Sequence, residues 1–69
     1  MTNAFEDHVR NQLDIFRHEI RYARLQGDYN MERIFRAQAA AYRMGLEAVL
    51  SSAVVAKIFE GYDFGGDEA

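Results

Sequence analysis

Cysteine, tryptophan and proline are missing altogether from this 69-residue chain. Without cysteine there is no disulfide framework and no thiolate-bound zinc, the devices that stabilise many other very small folds. Without proline, nothing in the sequence forces a helix to stop. Positive charge is also in short supply, since eight Lys and Arg face eleven Asp and Glu, for a net charge of −3 and a pI near 5.2. A general polyanion binder would be strongly basic. Long apolar runs are absent too: Ala48 to Phe59 is the greasiest stretch, but Ser51, Ser52 and Lys57 interrupt it, and it falls well short of the roughly 20 residues that cross a bilayer. No basic region followed by an apolar run and a small-residue cleavage site opens the chain. A soluble, cytoplasmic protein without membrane contact is expected. At under half of the roughly 150 residues usual per domain, the chain has room for one small unit and none for a two-lobed catalytic cleft. Hydrophobic residues at 49% and charged residues at 28% are the proportions of a folded protein.

What is present is helical periodicity, which predicts an all-α fold. Asn3 suits an N-cap, with Glu6 in the capping-box position. Glu6 and Asp7 also complement the positive helix end. Val9, Leu13, Phe16, Ile20 and Ala23 then recur at spacings of four and three, one continuous seam along a first helix. Gly27 is placed to end that helix in a left-handed conformation, and Asp28 to cap the next. So short a link makes an antiparallel hairpin. The second helix is expected from about Tyr29 to Glu60, with a seam of Ile34, Ala37, Ala41, Met44, Ala48, Ser51, Val55 and Ile58, and with Gly61 as its stop. Residues 1–61 thus read as a helical hairpin, and residues 62–69 as an acidic, aromatic tail.

The two predicted helices differ in length, about 35 Å against about 48 Å at 1.5 Å per residue. The shorter covers the longer only to about Ser51. Beyond that point Ala53, Val54, Val55, Ala56, Ile58 and Phe59 lack an intramolecular neighbour, and from Leu46 through Val49 and Leu50 apolar residues occupy several faces at once. An oily end of this kind is normally buried. The expectation is a homodimer that pairs through Leu46, Val49, Leu50, Ala53, Val54, Ile58 and Phe59 into a helical bundle. The alternative is a tail folded back over the overhang.

Catalytic chemistry is hard to find. His18-Glu19-Ile20-Arg21-Tyr22 starts like a zinc-protease helix, but Tyr22 stands where the second histidine ligand belongs. His8 is ten residues upstream of His18, Ser51 and Ser52 have no histidine near in sequence, and no glycine-rich phosphate loop exists. No enzyme activity, metal or cofactor is expected, and no small-molecule substrate.

From Arg10 to Arg43 seven arginines stand against four carboxylates. Arginine favours bidentate and stacking contacts over mere solubility. Arg10, Arg17, Arg21 and Arg24 share one face of the first helix, so a small nucleic-acid-binding regulator is the alternative reading, although Asp14 interrupts the stripe. Arg, Tyr and Phe are also the usual anchors of protein interfaces. Tyr22, Phe35, Arg36, Tyr42 and Arg43 are the candidate partner-binding residues, with completion of the core or of the dimer contact as the competing role for Phe35 and Tyr42.

Ala23-Arg24-Leu25-Gln26-Gly27-Asp28-Tyr29 resembles the helical corner of a tetratricopeptide repeat, but a single copy makes no solenoid. A wider resemblance rests on length, acidity, the opening Met1-Thr2-Asn3 with Phe5-Glu6-Asp7, and the Gly27-Asp28-Tyr29 turn. In these the chain is similar to the small phage-encoded quorum-sensing anti-activator proteins. That resemblance implies an early phage protein in the bacterial host cytoplasm that sequesters a LuxR-type transcriptional regulator, blocks its DNA binding, and also engages the ATPase that drives pilus assembly.

Overall fold

The computed structural model describes residues 4–62. These form three helices and no strand: α1 (Ala4–Leu25), α2 (Tyr29–Glu47) and α3 (Ser52–Phe59). The first is the helix the periodicity predicts. Val9, Leu13, Phe16, Ile20 and Ala23 are all buried, and Glu6 and Asp7 occupy the first turn. The proposed Asn3 cap, and the tail from residue 63 onward, lie outside the described residues.

The link between α1 and α2 is set by Gly27 and Asp28. Gly27 adopts φ +72°, a conformation in which a side chain is strained. Its N–H donates to the Arg24 carbonyl at 3.0 Å while the Asp28 N–H donates to the Ala23 carbonyl at 2.9 Å, the paired bonds of a Schellman ending. Asp28 then starts the next helix, its carboxylate accepting from the Met31 N–H at 3.1 Å. After this turn α2 packs against α1.

Two expectations about the second half need correction. The predicted helix from Tyr29 to Glu60 is in fact two helices. After Glu47 the amides of Ala48 and Val49 donate three residues back, to Gly45 and Leu46, and tighten the last turn. Ser51 then turns extended, with φ −67° and ψ 153°, and its hydroxyl accepts from the Val54 N–H at 3.2 Å. Ser51 is therefore an N-cap and not a seam residue, as a short hydroxyl side chain favours. Breaking the helix costs little here, because Gly45 and the serine pair are poor helix formers. The return is the burial of Val55, Ile58 and Phe59 against the hairpin.

The seam of α2 is also rotated from its expected face. Glu32, Ala39 and Leu46 are the buried residues, with Phe35 and Tyr42 half-buried between them. Ile34, Ala37, Ala41 and Met44 face outward instead. Both sets satisfy helical spacing; the inward set carries the larger side chains at its lower end, where α3 closes the core.

One core results. Val9, Leu13 and Phe16 of α1, Ala39 and Leu46 of α2, and Val55, Ile58 and Phe59 of α3 form a single buried cluster, flanked by Tyr42, Leu50 and Tyr62. The length mismatch that suggested an uncovered overhang is removed from within: the overhanging segment folds back as α3.

Candidate protein-interaction surfaces

The arginines expected to meet a partner are largely engaged within the chain. Arg24 and Arg36 both donate to one carboxylate oxygen of Glu32, their Nη2 atoms at 2.8 and 2.9 Å and their Nε atoms at 3.1 and 3.2 Å. Glu32 is only 8% exposed, so it is paired as a buried carboxylate must be. The hydrogen bonds from Arg36 and then Arg24 hold its carboxyl below the ordinary value, against the opposing effect of desolvation. Because Arg24 lies in the last turn of α1 and Glu32 in the first turn of α2, this ion triad joins the two helices beside the turn.

Arg17 and Arg43 follow the same pattern. Arg17 pairs with Asp14 at 3.1 Å and lies over the Tyr62 ring, its guanidinium carbon 5.0 Å from the centroid. Arg43 lies 5.0 Å over the Phe59 ring and reaches Glu47 at 3.4 Å. Both are cation–π contacts that tie a helix to the segment containing or following α3. Tyr62 donates its hydroxyl to Asp14 at 3.0 Å; burial, and then this bond, push its phenol above the usual value. Burial does the same to Tyr42, whose ring stacks on Phe16 at 5.7 Å and 56°.

The five candidate partner residues are therefore not gathered on one face. Phe35 and Tyr42 lie in the hairpin seam, Arg36 belongs to the Glu32 triad, Arg43 rests on Phe59, and Tyr22 stands exposed on α1. Of the residues expected to pair two copies, Leu46, Ile58 and Phe59 are buried in the chain's own core and Leu50 packs against it, while Val49, Ala53 and Val54 remain exposed.

Apart from Tyr22, two apolar surfaces escaped the sequence reading. At the turn end, Tyr22, Leu25 and Tyr29 are 65%, 76% and 67% exposed. Leu25 and Tyr29 adjoin the turn, where apolar residues are easily read as filler between helices. On the back of α2, Ile34 and Met44 are 47% and 65% exposed along the stripe that sequence spacing assigned to the core. The signal that could have found this stripe is the second, equally regular set of Phe35, Ala39, Tyr42 and Leu46, which competes for the same core.

A shallow cleft of about 320 Å³ between the start of α1 and α3 is lined by Glu6, Arg10, Val54, Lys57 and Ile58. It holds charges of both signs. Among the described residues no group of three or more His, Asp or Glu side chains is placed to hold a metal ion, and no helix is long and apolar enough to cross a membrane. Compared with protein families, with curated proteins and with solved structures, the chain matches none.

Proposed function

We propose that this chain is a non-enzymatic protein-binding inhibitor, a phage-encoded homodimeric antagonist in the host cytoplasm. Its target is a LuxR-type transcriptional regulator, which it keeps off DNA, and the resemblance noted above extends its partners to the ATPase of pilus assembly. The observation that carries a protein-binding role is the turn end. Three large side chains, Tyr22, Leu25 and Tyr29, stand more than half exposed around a link made rigid by the Gly27 and Asp28 caps and the Glu32 triad. Aromatic anchors on a rigid support bind with little loss of conformational entropy. Nucleic-acid binding through the arginine stripe is less favoured, because Arg17 and Arg24 already have carboxylate partners within the fold.

The test is a mobility-shift assay on a purified LuxR-type regulator bound to its operator. Added stoichiometrically, the chain is expected to dissolve the regulator–DNA complex without shifting the DNA itself. Tyr22→Ala with Tyr29→Ala should weaken that effect by about tenfold or more, as loss of interface anchors does. An unaffected regulator–DNA complex rejects the reading. A direct shift of random duplex that fades steeply with added salt would put the nucleic-acid reading in its place.

A further inference from the structure

Two cations in the cleft between the start of α1 and α3 are left without an ion pair. Arg10 and Lys57 line it together with Glu6, Val54 and Ile58, and among the described residues neither cation meets a carboxylate. That sets Arg10 apart from Arg17, Arg24, Arg36 and Arg43, each of which does. Glu6 stands four residues before Arg10, a spacing at which helical ion pairs form, yet the two are not paired. The aliphatic floor is not fully closed either: Ile58 is 1% exposed beneath it, but Val54 is 37% exposed. Two cations against one acid, over an apolar floor, suit an acidic segment that also carries a large apolar side chain.

Such a segment follows Tyr62 directly. Residues 63–69 contain Asp63, Asp67 and Glu68, a single large apolar residue in Phe64, and no cation. Tyr62 brings its starting point to the cleft. The Tyr62 hydroxyl lies 3.4 Å from the Arg10 carbonyl, beside its bond to Asp14, and the Tyr62 amide donates to the Phe59 carbonyl at 2.9 Å. The residue is thus tied to both helices that wall the cleft. Seven residues can extend about 23–25 Å, well beyond the roughly 6 Å of helix that separates Arg10 from Glu6.

We propose that this cleft is the binding site of the chain's own residues 63–69, with Phe64 laid on Val54 and the acids of the segment shared between Arg10 and Lys57. Gly65 and Gly66 let the backbone turn after Phe64, which returns Asp67 to the side of Asp63. The occupant is this segment and not a separate peptide because of its tether: a ligand on so short a link is present at an effective concentration of about a millimolar, and fills even a weak site first. An acidic segment of any other protein enters the cleft only by displacing it. The cleft lies toward the opposite end of α1 from the turn, about 22 Å along the helix from Arg10 to Leu25, so the proposal is independent of the turn-end surface.

The full chain has no cysteine, so Ala69→Cys accepts a single nitroxide label. Paramagnetic broadening should concentrate on the amide signals of Glu6, Arg10, Val54 and Lys57 and leave Tyr22, Leu25 and Tyr29 sharp. Without the label, the Phe64 ring should show nuclear Overhauser contacts to the Val54 methyls. Arg10→Gln with Lys57→Gln should cut the broadening at Glu6 and Val54 by about threefold or more, with an unchanged helical circular dichroism spectrum. Phe64→Ala should do the same from the other side of the contact, and added salt should act in the same direction. Should the double variant lose helical signal, Lys57→Gln alone carries the test, at an exposed position, with a reduction of about twofold.

Broadening that the glutamine variants leave unchanged, or that spreads evenly around Tyr62, marks a segment that is tethered without a site and overturns the proposal. Absence of any contact between Phe64 and Val54 overturns it as well. If a nitroxide-free, isotope-labelled chain is broadened on mixing with the nitroxide-labelled one, the segment occupies the cleft of another copy, and the assignment to its own chain falls.

Discussion

Tyr62 donates its hydroxyl to Asp14 across 48 positions of sequence, at 3.0 Å. With Arg17 lying over the ring, this bond fastens the residue that follows α3 to the middle of α1. Tyr62→Phe keeps the ring and the cation–π contact but removes the hydroxyl. Asp14 is half exposed, so the expected cost is about 1 kcal/mol, read as a lower urea midpoint with an unchanged slope. Asp14→Ala should cost a similar amount, and the double variant less than the sum of the two.

Ile58 is 1% exposed, although it lies in a segment that a continuous helix would leave in water. Ile58→Ala should cost about 2–5 kcal/mol, a large part of the 5–15 kcal/mol that holds small domains together. Val49→Ala, at an exposed position in the link after α2, should change stability by no more than about 0.5 kcal/mol. Thermal melts of both variants check the pair; equal effects would mean that α3 does not close the core.

Ser51→Ala removes the side chain that accepts from the Val54 amide. The expected loss is about 1 kcal/mol. Ser51→Thr should recover most of it. Gly27→Ala tests the other link: open space surrounds the site, so the penalty comes from the positive φ alone and should be about 1–2 kcal/mol.

Glu32 makes stability depend on pH in one direction. Its folded value lies below the ordinary 4.5, so its carboxylate contributes fully above that value. As pH falls from about 4.5 through the folded value, protonation removes the contribution. Glu32→Gln should therefore melt lower than wild type at neutral pH, with the gap closing as the pH is taken below the folded value. A gap that stays constant into strong acid would show that the two arginines act on Glu32 through shape and not through its charge.

How much of this was legible in the sequence differs from element to element. The whole of α1 was, because five apolar residues share a single spacing with no competitor. The turn was as well, since only glycine takes the required φ without strain and aspartate is a strong cap. In α2 the reading chose the wrong one of two equally periodic stripes, because spacing alone cannot rank Ile34 and Met44 above Phe35 and Leu46; the third helix decides by packing on one side. The break at Ser51 was missed for a related reason. A serine cap without an acid three residues later looks much like a small residue on a seam, and the energy that favours the break comes from contacts distant in sequence. The turn-end surface was only partly visible, as Tyr22 alone, because exposure is a property of the packed chain.

Because α3 closes the core from within, folding of a single chain should not require a second copy. Its refolding should be first order, at a rate indifferent to dilution, with any pairing a later and separable event between finished units. A chain built this way should keep its shape at low concentration, and any association it enters need not pass through an unfolded state.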